Sequence, residues 1–281
     1  MPFVQQPNEV PIARSYGILQ LDSRDRISGQ PLSNFSYDAS KVFPMNGVTS
    51  IAPWKLQFVW STPNVNVRNN RFTLIMPSVS SAPKTVTVAE GWYTNTELAA
   101  ALQAQLIASV SSTLTVTLQS KTNYFVITDT DSSRTFTLLK SQAGSPDLLD
   151  MMGFNYCVGW AASTSFTSGF PTLTYTRSVK IVSSQMCQFA PVRDDDSSSH
   201  VTNILFIVYL PFNESPVDGN YSYCRPGTDI QFEEKNLKWF AFDSRAQLAN
   251  VDIRLVDEWG QDLYTPPGAA DFCLTFKMTA E

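Results

Sequence analysis

The stretch DFCLTFKM, residues 271–278, decides the fold: Phe272, Leu274, Phe276 and Met278 fall on one face of an extended chain, and Asp271, Thr275 and Lys277 on the other. Successive side chains of a strand point to opposite sides of its sheet, so strict alternation marks a strand with one buried and one wetted face. The same period recurs upstream. In 251–257, Val251, Ile253 and Leu255 oppose Asp252 and Arg254, and in 228–233, Ile230 and Phe232 oppose Asp229, Gln231 and Glu233. Half-buried strands of this kind belong to antiparallel sandwiches and barrels rather than to parallel sheets buried on both faces.

Further strands are expected throughout. Phe35 and Tyr37 alternate with polar residues in an expected edge strand. After the Asn46-Gly47 turn, Trp54, Leu56, Phe58 and Trp60 line one face of a long strand. Phe72, Leu74 and Met76 mark another, closed by Pro77. Leu173, Tyr175, Val179 and Ile181 alternate, residues 204–210 are apolar on both faces and read as a central strand, and Leu237, Trp239 and Ala241 precede the closing strands. A core of about eight strands suits a two-sheet jelly roll.

Residues 84–155 differ. Thr94 and Glu97 frame a capping box, and Leu98, Leu102 and Leu106 recur at helical spacing, predicting a helix with one buried stripe. Short strands follow around 114–118, 124–127 and 136–138. In SPDLLDMMGF, Ser145 reads as an N-cap, Pro146 as the first helical residue and Gly153 as a left-handed cap. The expectation is an antiparallel jelly-roll β-sandwich over 33–83 and 156–281, an inserted α+β subdomain over 84–155, and an extended N-terminal arm over 1–32. The first 20 residues carry Pro2, Pro7 and Pro11 and show no clear period, which predicts a segment ordered only against a partner.

Composition narrows the function. The chain has 281 residues, 43% hydrophobic and only 16% charged, below the roughly 25% charge of ordinary soluble domains, so surface committed to other subunits is expected. A net charge of −5 without a Lys/Arg cluster offers no grip on a nucleic-acid backbone. No run of about 20 apolar residues predicts a membrane span, and MPFVQQPNEVPIARSYG lacks the basic and apolar regions of a signal peptide. Cys157, Cys187, Cys224 and Cys273 form no CxxC pair and read as small buried hydrophobes; without a secretory signal, the sequons at Asn34, Asn213 and Asn220 are expected to be coincidental. The single histidine, His200, follows a run of serines and the triplet Asp194, Asp195 and Asp196. A catalytic triad is a matter of geometry, which a polar loop does not provide, and three successive carboxylates do not match a calcium loop. No nucleotide or metallohydrolase motif is present. No catalytic, cofactor or metal residue is therefore assigned, and the six tryptophans and eighteen phenylalanines are assigned mostly to core packing.

Four segments in order resemble the minor capsid and penton proteins of virophages, polinton-like viruses and large eukaryotic DNA viruses. LDSRDR at 21–26 is similar to their (I/L)DSRDR opening. EGWYTNTELAAALQAQL resembles their G-x-Y…ELxxxLN helix start, and SPDLLDMMGF their S…LLGF segment. VDIRLVDEWGQDLYTP followed by DFCLTFKM resembles their closing pair. The Trp in EGWY and the doubled Met in LLDMMG depart from the pattern. The resemblance implies a single jelly roll without enzymatic activity. It implies a homo-oligomer, expected to be a pentamer, meeting the major capsid protein and other minor capsid proteins in an icosahedral virion assembled in the host cell. A carbohydrate- or receptor-binding sandwich is the alternative, with Trp160, Tyr221 or Tyr223 as contact residues.

Overall fold

The computed structural model describes residues 15–26, 28–29, 34–38, 48–141, 147–154, 159, 161–173, 176–184, 186, 204–210, 213–215, 220–222, 226–235, 237, 239–241, 250–258, 260–265 and 271–280. The chain opens with β1 (Ser15–Asp22), a short 3-10 turn, β2 (Ser28–Gly29), β3 (Asn34–Asp38) and β4 (Val48–Val59). Then come β5 (Arg71–Met76), β6 (Ser80–Thr87), α1 (Asn95–Ser109), β7 (Leu114–Leu118), β8 (Phe125–Asp129), β9 (Thr137–Leu139), α2 (Leu148–Met152) and β10 (Ser165–Thr167). The last part holds β11 (Ser178–Val182), β12 (Ile204–Tyr209), β13 (Asn213–Ser215), β14 (Asn220–Ser222), β15 (Asp229–Glu233), β16 (Phe240–Ala241), β17 (Asn250–Val256) and β18 (Phe272–Ala280).

Eight of these strands make a jelly roll. One sheet runs β1-β18-β4-β15, with two-residue β16 also on β4; the other runs β12-β11-β17-β3, with two-residue β2 at its end. Every pairing is antiparallel. Numbered along the chain, the eight strands stand in the orders 1-8-3-6 and 2-7-4-5, the double Greek key of a jelly roll. The inward residues of both sheets share one core, with Leu56 and Phe58 of β4 and Trp60 just beyond it against Val251, Ile253 and Leu255 of β17 and Phe272, Leu274 and Phe276 of β18. The alternation in the last three strands is thus the imprint of a two-sheet core.

The helices and strands between β4 and β11 form a second body. β6-β5-β9 and β10-β8-β7 form two small sheets, and α1 and α2 pack with them. Its core runs from Val65 through Phe72, Leu102, Phe125 and Leu149 to Phe166 and Leu173, reaching beyond residues 84–155 at both ends. The Phe72–Met76 strand lies here and not in the sandwich, because it pairs with β6 and β9 and its buried residues Phe72, Leu74 and Met76 share a core with the helices. Leu98, Leu102 and Leu106 are fully buried, and the Thr94–Glu97 capping box forms. Gln103 of α1 donates to Leu114 O (2.7 Å) and accepts from Val116 N (2.5 Å), covering the free edge of β7.

Several expectations change. Residues 15–22 are not arm: they pair with β18 along eight residues, and Leu19 and Leu21 enter the core. Their alternation spans only two apolar positions, too short to stand out among prolines and polar residues. Residues 1–14 lie outside the described residues. Residues 204–209 end their sheet among the described residues, because only β11 pairs with them, and Tyr209 is 75% exposed. Phe35 and Tyr37 stand on β3, which has β17 on one side and the short β2 on the other, so the outermost position is taken by β2. Trp54 faces outward, because the register against β18 slips from Thr275↔Lys55 to Phe276↔Pro53 and leaves Trp54 as the extra residue of a bulge. The N-cap of α2 is Asp147 rather than Ser145; its carboxylate accepts from Leu149 N and Asp150 N, while Gly153 takes the left-handed cap with φ +85°.

Candidate functional site

The four family-like segments are construction joints. In LDSRDR, Asp22 caps the turn after β1 by accepting from Arg24 N (2.9 Å), and its backbone carbonyl accepts from Tyr37 Oη (2.7 Å). The fully buried Ser23 hydroxyl donates to Asp271 Oδ1 (2.8 Å) and accepts from Phe272 N (3.1 Å), tying the start of the jelly roll to its last strand. Arg26 donates to Ser23 O (2.7 Å). The side-chain hydrogen bonds from Arg24 hold the Asp22 carboxyl below its ordinary value, and burial pushes the Tyr37 phenol up.

In EGWYTNTEL, a side chain absent from the motif does the holding. Asn64 accepts from Tyr93 N (2.9 Å) and donates to Tyr93 O (2.8 Å), while Val65 and Gly91 exchange backbone hydrogen bonds. Asn64 is itself fixed within a buried asparagine loop: Asn69 donates to Asn64 O (2.8 Å) and accepts from Asn66 N (2.7 Å). The sequence PNVNVRNN carried this signal as a dense polar cluster, but reads on its own as a turn. In SPDLLDMMGF, Gly153 O accepts from Gly169 N at 2.8 Å, an approach that leaves no room for a side chain. Burial raises the Asp147 carboxyl above its ordinary value.

The last segment turns β17 into β18. Asp257 N donates to Gln261 O (2.8 Å), Asp257 Oδ1 accepts from Gln261 N (2.9 Å), and Gly260 has φ +78°. Leu263 returns to the core and hydrogen-bonds Leu255 O (2.8 Å). The Asp257 side chain is fully buried and faces Arg68 at 3.7 Å.

The outer face of β1-β18-β4-β15 is the broad surface these joints leave open. Trp54 lies there, with Lys55 Nζ 4.2 Å and Lys277 Nζ 4.3 Å from its ring centroid. Its indole N–H donates to Glu233 Oε1 (3.0 Å), and Glu233 pairs with Lys55 (3.2 Å), which holds the Glu233 carboxyl below its ordinary value. Cys273 is half-buried on the same face and accepts from Gln20 Nε2 (3.0 Å); Ile18 nearby is 64% exposed.

His200, Asp194, Asp195, Asp196, Trp160, Tyr223, Cys157, Cys187 and Cys224 lie outside the described residues. Tyr221 lies in the β13–β14 hairpin opposite Glu214. Among the described residues, no three His, Cys, Asp or Glu side chains gather as a metal would need, and no helix is long and apolar enough to cross a membrane.

No protein-family model and no curated protein matches the chain. Among solved structures, the chain is similar to the mavirus penton protein, with a TM-score of 0.48 and 11% identity over 95% of this chain and 100% of that one. It is also similar to a chain in the structure of the Sputnik virophage, with a TM-score of 0.36 and 10% identity over 94% of this chain and 97% of that one.

Proposed function

We propose that this chain is a structural virion protein, a penton or minor capsid protein that assembles with itself and with a major coat protein in an icosahedral shell. The observation that carries the reading is the ordered set of four family-like segments. Each falls on a joint of the jelly roll or of the body inserted in it, so the likeness lies in residues that build the fold. Fold alone would not suffice, since sandwiches host many functions. The chemistry of these joints agrees with a building role. Strongly bonded side chains such as Ser23, Asn64 and Asp257 are engaged in backbone corners. The open sheet face is broad, with Thr275 and Lys277 half-buried beside exposed Gln57, and suits packing against another subunit.

In this reading, identical subunits close a ring through a heterologous contact, residues 1–14 tie it to neighbouring coat proteins, and the body between β4 and β11 is an appended unit whose core reaches from Val65 to Leu173, wider than 84–155. The test is the mass of the purified full chain by light scattering, followed by co-expression with the major coat protein. A five-copy species that enters particles is expected. A chain that stays monomeric, is left out of particles and binds glycans on an array would overturn the reading in favour of an attachment protein.

A further inference from the structure

The body between β4 and β11 leaves the sandwich through residues 60–62 and returns through residues 176–178, and two bare crossings would leave it free to swing. One turn of the jelly roll meets both. Thr62 Oγ1, on the outgoing crossing, donates to Tyr264 O (2.7 Å). Arg177 N, on the returning crossing, donates to Glu258 Oε2 (3.1 Å). The same turn reaches the base of the inserted body at two further points: Asp257 faces Arg68 at 3.7 Å, and the Tyr264 hydroxyl donates to Glu90. Arg68 also lies over the Tyr264 ring, 5.9 Å from its centroid.

We propose that the 257–264 turn is a clamp that fixes the orientation of the inserted body on the jelly roll. Both sides of the clamp are stiff. Asp257 and Gln261 close the turn by reciprocal hydrogen bonds, and Leu263 anchors it in the sandwich core. On the inserted side, the Asn64, Asn66 and Asn69 network shapes the loop that presents Arg68, and Asn66 Oδ1 accepts from Arg68 N (2.9 Å). Burial of the ion pair matters here, because a partner removed from a buried charge leaves the other uncompensated. The Asp257 side chain is fully buried and Arg68 is 27% exposed, but the two facing atoms, Arg68 Nη1 and Asp257 Oδ2, are both buried. The inserted body has its own core, so releasing the clamp frees its position without dissolving its interior. The inference is independent of the virion reading.

The test uses the full chain and limited trypsin digestion, since Arg68 and Arg177 both lie at the clamp. Asp257→Asn, and separately the milder pair Tyr264→Phe with Glu258→Gln, should raise cleavage after Arg68 and Arg177 by about tenfold or more, as local opening becomes easier. Hydrogen exchange at Leu102 and Phe125 should stay within about twofold of the parent chain, as separate local stability requires. Unchanged cleavage at both arginines in the milder variant would overturn the clamp. So would parallel loss of protection at Leu102 and Phe125, which would make the turn part of the inserted core. If Asp257→Asn unfolds the whole chain, the milder variant alone decides.

Discussion

Replacing Gly153 with alanine should weaken the inserted body by about 2–5 kcal/mol, from two separable causes. The first is conformational: at φ +85°, an L residue pays about 1–2 kcal/mol relative to glycine. The second is steric. A Cβ at Gly153 would stand 2.8 Å from Gly169 O and 2.9 Å from Phe170 O, both backbone atoms. They cannot swing aside, because Gly169 N is bound to Gly153 O at 2.8 Å, so the overlap must be relieved by a backbone shift costing about 1–3 kcal/mol. Gly159 separates the two causes: its φ is +76°, yet a Cβ there meets nothing within 4 Å. Gly159→Ala should therefore cost only about 1–2 kcal/mol. Urea unfolding, read by hydrogen exchange at Leu149 and Leu102, measures both variants. Equal losses would refute the steric argument and leave only the backbone dihedral.

Leu102→Asp places a carboxylate in a fully buried helical stripe and should cost the inserted body several kcal/mol, roughly 4 or more. Protection should vanish in β5 and β10 together with α1 while β4 and β18 keep theirs; retention in β5 and β10 would restore the narrower 84–155 boundary. Asn64→Ala removes both hydrogen bonds to the Tyr93 backbone and should lower the urea midpoint by the equivalent of about 1–3 kcal/mol. The Asp22 carboxyl is held below its ordinary value by Arg24, so its contribution is complete above the unfolded value of about 4 and is lost as pH falls through the folded value. Asp22→Asn should therefore flatten the fall of melting temperature below pH 4, and an identical acid limb in both proteins would contradict this. Asp147 and Glu258 run the other way: burial raises both, so their contribution is present at low pH and fades as pH rises through their folded values.

The strands with long, clean alternation were legible because each lies between one core and water. Phe272, Leu274 and Phe276 face inward in β18, and Val251, Ile253 and Leu255 do the same in β17. The α1 cap was legible for a different reason, since Thr94 and Glu97 satisfy each other within one turn. Trp54 was misplaced because a bulge is a property of the pairing with β18 and has no periodic trace in its own strand. β1 was missed because its partner lies about as far away in sequence as the chain allows, at β18. The clamp was equally hidden: Arg68, Glu90, Arg177 and the 257–264 turn are unremarkable polar residues until the fold brings them together.

What the sequence by itself determined is local: strand or helix, which face is apolar, where a helix is capped and where a turn needs glycine. Those preferences arise from steric and hydrogen-bonding limits acting over a few residues, so they can be read in any context. Strand order, the width of the inserted body and its attachment are non-local. They follow from which apolar faces can be buried together, as Val65 and Leu173 are in one core although two helices and six strands separate them along the chain. Only tertiary structure decides that, because burial energy depends on the shape of the completed core and not on the order in which its residues occur.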